Sequence, residues 1–98
     1  TAVKIADGQA AFKAGCVLYE DSGAYKALGA SDSEHKAVAV ALEDLGATAK
    51  DAVVNVCVHG FCRTEDLCYA DGTAVKAGTV SDLRSAGIYC TGTPAAED

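Results

Sequence analysis

The stretch Ala52-Val53-Val54-Asn55-Val56-Cys57-Val58-His59-Gly60-Phe61-Cys62-Arg63-Thr64-Glu65-Asp66-Leu67 decides how this chain folds. Val54, Val56 and Val58 fall on one face, and Asn55, Cys57 and His59 on the other. A period of two carried by β-branched residues is a strand, not a helix. Gly60 then releases the chain, and Phe61 sets a large apolar side chain just past the strand. Thr64 is placed to cap a short helical turn whose first residues, Glu65 and Asp66, suit the positive end of a helix dipole.

Working outward, residues 15–20 read as a strand, Asp21-Ser22-Gly23 as a turn, and residues 24–28 as the returning arm of a hairpin. Ala37-Val38-Ala39-Val40-Ala41-Leu42 is apolar on both faces, which fits a strand buried on both sides, although its alanines also allow a helix. Asp71-Gly72 marks a turn. Residues 80–86 read as a short helix with Thr79 or Ser81 as N-cap and Gly87 past its end, followed by a last strand at Ile88-Tyr89-Cys90. Residues 1–14 show no firm period and read as an extended arm or a short edge strand. Residues 92–98, holding the only proline and ending Ala-Ala-Glu-Asp, read as a frayed acidic tail. The sum is a small, mainly β domain over residues 15–91 with short helices, in outline a compact, partly open barrel.

A chain of 98 residues has room for one hydrophobic core. Half of it is apolar, but alanine dominates, so each core residue removes less area from water than Leu or Phe would. That leaves burial for an oligomer or a partner to supply. A net charge of −6, with the basic residues scattered, argues against a nucleic-acid surface. No run approaches the ~20 apolar residues that cross a bilayer, so no membrane span is expected. The start lacks the charged and apolar regions of a secretory leader, so either the chain is cytosolic in origin or a leader has been removed. Five cysteines cannot all pair within one chain. Most read as small buried apolar residues in a reducing compartment, with disulfide formation after release from a cell left open for Cys57, Cys62 and Cys68.

Candidates for chemistry are few. Cys57, His59, Cys62 and Cys68 offer thiolates and an imidazole that suit zinc, making a small metal-binding or redox module the alternative reading. The paired knuckles of zinc modules are missing. A cysteine nucleophile would need His35 or His59 as its base, and neither lies in a nucleophile motif. The acid pairs Glu43-Asp44 and Glu65-Asp66 read as solvated caps. The glycines form no phosphate loop. Nothing calls for an enzyme or a cofactor. Phe61 reads first as a core anchor, since one Phe buries a large area, whereas Phe12, on the arm, reads as a docking residue.

In order, the features from Cys16 to Ile88 resemble the lambda-type head decoration proteins of tailed bacteriophages. The matching residues are Val17-Leu18-Tyr19-Glu20-Asp21-Ser22-Gly23 with its return Tyr25-Lys26-Ala27-Leu28, then the apolar run 37–42 and the strand to Val58. Gly60-Phe61, Arg63 and Glu65-Asp66-Leu67 follow, and last comes residues 80–86 leading into Gly87-Ile88. The five cysteines, the lack of tryptophan and the acidic tail after Cys90 depart from the family pattern. The resemblance implies a β-clip fold and a non-enzymatic virion component, assembled in the host cytoplasm. Such a protein sits as a homotrimer at local three-fold positions and stabilises the expanded capsid by binding the major capsid protein. It also implies an arm that orders by strand addition, for which Val3, Ile5 and Phe12 are the expected docking residues. Phe61, Arg63, Glu65 and Asp66 are the expected trimer or capsid contacts.

Overall fold

The computed structural model describes residues 2–8, 11–32, 34–46 and 52–91. Residues 47–51 and residues 92–98, the latter expected as an acidic tail, lie outside them. Among the described residues, seven strands run in the order β1 (Ala2–Lys4), β2 (Val17–Asp21), β3 (Ala24–Ala27), β4 (Ala39–Ala41), β5 (Val53–Cys57), β6 (Gly60–Arg63) and β7 (Ile88–Thr91). A short 3-10 turn, Thr64–Asp66, follows β6, and the helix α1 (Ala77–Ala86) precedes β7. The domain is therefore mainly β with one short α-helix, as the periodicities require.

Five strands form an antiparallel sheet in the order β1-β5-β4-β2-β3. Its end strands meet: Ile5 bridges Tyr25, and the Ala6 amide donates to the Tyr25 carbonyl at 2.9 Å, so the sheet curls into a small barrel. Alternation sorts the side chains into two clusters. Inside lie Ile5, Phe12, Cys16, Leu18, Ala39, Ala41, Val54 and Val56. The alternate residues Val17 and Val40 face outward into a second cluster with Leu28, Leu67, Tyr69, Val75, Leu83 and Ile88. The run 37–42 thus supplies the strand buried on both faces. Its alanines at 39 and 41 are the small residues that a narrow barrel interior admits. The hairpin between β2 and β3 turns on Ser22 and Gly23, both at positive φ (54° and 85°), the twist a two-residue hairpin prefers.

Three expectations need correction. Of the two readings of residues 1–14, the described part forms a short strand rather than an extended arm: Ala2–Lys4 pairs with β5 through Val3↔Val54, Ile5 is wholly buried, and Phe12 exchanges backbone bonds with Leu45. Their apolar side chains complete a barrel that the remaining strands leave short of volume. The helix begins at Ala77, ahead of the expected start, with Lys76 at the N-cap and no side-chain cap. Thr79 is instead buried within it, its Oγ1 2.6 Å from the Tyr69 hydroxyl, which also accepts the Lys76 amide at 2.9 Å. A tertiary partner does the work of a local cap. Thr64 does not cap either; its hydroxyl is buried and has no hydrogen-bond partner among the described residues.

Candidate docking surface

Leaving the barrel, the chain reverses at Gly60 (φ 139°) and runs out as β6. β6 pairs in parallel with β7, through Gly60↔Ile88, Phe61↔Tyr89, Cys62↔Cys90 and Arg63↔Thr91. Two glycines set that register. Gly87 ends α1 in the left-handed conformation (φ 104°), its amide returning to the Arg84 and Leu83 carbonyls. The Gly60 amide then donates to the Gly87 carbonyl at 3.1 Å. The His59 ring packs over Gly87, where a Cβ would lie 2.7 Å from its Cδ2.

Alternation gives the β6–β7 pair an inner and an outer face. Ile88, Cys62 and Cys90 turn toward the outer core cluster. Phe61, Tyr89 and Arg63 turn to solvent. Phe61 is 79% exposed, and its ring centroid lies 5.6 Å from that of Tyr89. The expectation that Phe61 anchors the core is therefore wrong: strand pairing fixes Cys62 on the inner face and sends Phe61 outward. Beside Phe61 runs a groove of about 400 Å³ between β6 and the end of β4, whose far wall includes Leu42, 57% exposed. Arg63 pairs with Glu65 and lies 3.9 Å from Asp66, which also lines the groove. Glu65 first, then Asp66, holds the guanidinium more firmly charged.

Scattered exposed apolar residues are ordinary, but a contiguous cluster is not. Here Phe61 and Leu42 border one depression that Arg63 and Asp66 also line, with Tyr89 packed beside Phe61 and Glu65 paired to Arg63, an apolar centre with a charged edge. The energetics point the same way. Fully burying a Phe side chain stabilises by about 1.5–3 kcal/mol, and at 79% exposure most of that is unrealised in the isolated chain.

The structure brings Phe61, Arg63, Glu65 and Asp66 together on this face. It does not present Ile5 and Phe12, which are core residues, and leaves Val3 half-buried on β1. Tyr89 and Leu42 belong to the face but carry no motif; only the partner-strand register and the end of β4 place them there.

The four residues considered for zinc are divided. Cys57 and Cys62 pack against the outer cluster, whereas Cys68 packs against the barrel interior and bridges Cys16. Among the described residues, no three His, Cys, Asp or Glu side chains are grouped to hold a metal ion. The Cys57 thiol donates to the His59 backbone carbonyl at 3.6 Å rather than to its ring. The other histidine, His35, stacks on Tyr19 with centroids 4.1 Å apart, its Nδ1 2.7 Å from the Asp32 carboxylate. That bond, with the His35 and Glu34 amides, holds the Asp32 carboxyl below its ordinary value. The pair borders a cleft of about 440 Å³ whose walls mix Asp32, Glu34 and Asp82 with Lys36 and Lys76, so charges of both signs face it. Compared with known proteins, the chain matches no family model, no curated protein and no solved structure.

Proposed function

We propose that this chain is a structural, non-enzymatic protein that decorates the expanded capsid of a tailed phage, docking through the face built around Phe61. The observation that carries this reading is the exposed Phe61–Tyr89 pair beside an apolar groove lined by Arg63 and Asp66, with Glu65 paired to Arg63. These include the residues for which the family resemblance implies interface contacts. In this reading the fold is of β-clip type, and three copies gather at a local three-fold position against the major capsid protein. The three faces, each of modest affinity, then hold tightly because the second and third contacts form at high effective concentration. The alanine-rich barrel supports the same view, since a core of small side chains gains from burial supplied by neighbours.

In this reading the amino-terminal segment does not dock as a free arm. Freeing Ile5 and Phe12 would expose two core side chains at a cost of roughly 3–6 kcal/mol. The body of the domain, rather than residues 1–14, carries the contact. The test is co-sedimentation of the purified protein with undecorated expanded heads of its source phage. Near-equal copies relative to the major capsid protein, with no binding to unexpanded shells, are expected. Failure to bind the expanded heads would overturn the reading.

A further inference from the structure

Behind the docking face, on the inner side of β6, three thiols converge. Cys62 and Cys90 are register partners across the parallel pair. Because Phe61 and Tyr89 share the outer face, their chain neighbours Cys62 and Cys90 share the inner one. Cys57, the last residue of β5, reaches the same place from across the turn. Its Sγ lies 3.8 Å from the position of a Cβ on Gly60, and after burial it is the group that most raises the Cys62 thiol. All three pack against the same apolar cluster, and all three are half-buried rather than sealed, so a small oxidant can reach them. Sequence spacing groups Cys68 with Cys57 and Cys62; the fold replaces it with Cys90.

We infer that Cys57 and Cys62 form an oxidation-sensitive staple, closing to an intrachain disulfide when the protein leaves a reducing environment, while Cys90 remains a free thiol. The choice of pair follows from geometry. Cys62 and Cys90 face each other across a hydrogen-bonded strand pair, so a bond between them must fit a disulfide dihedral near ±90° to backbones that the ladder already fixes. Cys57 arrives over a glycine turn and carries no such restraint. The bond would tie the end of β5 to β6, fixing the strand that presents Phe61. This holds whether or not that face meets a capsid.

With a low-molecular-weight disulfide such as oxidised glutathione as the oxidant, the reaction balances. One thiolate of the pair attacks a glutathione sulfur and expels a glutathione thiolate. The second protein thiolate then attacks the protein sulfur of the mixed disulfide and expels the other glutathione. The two protons lost by the cysteines end on two glutathione thiols. Burial first, then Cys57, pushes the Cys62 thiol up to about 11, so at neutral pH closure is slow and speeds up as pH rises. That suits a staple set once rather than a rapid sensor.

Trypsin makes the test direct, because residues 51–63 form one tryptic peptide holding both Cys57 and Cys62, while Cys90 falls in the peptide 85–98. The native protein is incubated with oxidised glutathione, alkylated, digested and weighed. The expected result is peptide 51–63 unalkylated and lighter by two hydrogens, with Cys90 alkylated in the same sample. Cys90→Ser should leave this signal intact, and Cys62→Ser should abolish it. The oxidised protein should also melt higher, by on the order of 5 °C. A link from 51–63 to 85–98, a link between Cys16 and Cys68, or glutathione adducts alone would overturn the assignment.

Discussion

A Cβ on Gly15 would land on the carbonyl oxygen of Asp66, and φ at that residue is +93°, where side chains are strained. The site cannot yield, because the backbone on both sides is tied: Gly15 donates to the Ala41 carbonyl at 2.8 Å and accepts from the Cys68 amide at 3.0 Å. Gly15→Ala should therefore cost about 2–4 kcal/mol, read as a lower urea midpoint; an unchanged midpoint would contradict the contact. Beside it, Cys16 is wholly buried, and burial, with a smaller contribution from Cys68, pushes its thiol up to about 12 against 9.0 for a free thiol. Above pH 9.0 the unfolded chain releases a proton that the folded chain retains, so this contribution is complete below about pH 9 and is lost as pH climbs toward 12. Stability measured at about pH 8 and about pH 10.5 should fall, and Cys16→Ala should flatten that fall. An equally steep loss in the variant would place the effect elsewhere.

Among the elements, those with a clean local signal were legible. The alternation of Val54 and Val56 against Val53 and Asn55 is the burial pattern of β5, Ser22-Gly23 makes the hairpin, and Gly87 ends α1. What escaped local reading depends on pairing between distant segments. β1 is too short to show a period, yet it closes the barrel because Val54 and Tyr25 wait on either side. Phe61 looks like an anchor in isolation, and only the register with Tyr89 shows that it faces outward. Thr79 resembles a cap, but the hydroxyl of Tyr69, which lies outside the helix, takes that task. The role of β1 has a direct consequence. Deleting residues 1–14 removes Ile5 and Phe12, 0% and 5% exposed, from the barrel. Such losses cost about 2–5 kcal/mol each, against a total stability of about 5–15 kcal/mol. The truncated chain should lose its cooperative thermal transition; a truncation melting at the wild-type temperature would mean that the segment is dispensable.

For the molecule as a whole, the division of labour is spatial. The barrel and the cluster beneath α1 hold the fold, while β6 and β7 stand beside the barrel with one face committed to the core and the other unspent. Their core-facing side keeps the pair in place, so the outer side can be altered without unfolding the domain. The measurement that bears most directly on this arrangement is binding of wild type and Phe61→Ala to undecorated expanded heads, each assayed by co-sedimentation alongside its thermal transition. A docking residue at the centre of an interface contributes about 2 kcal/mol or more, so the variant should bind at least tenfold more weakly while melting within about 2 °C of wild type. Equal binding by the two proteins would contradict a docking face built on Phe61.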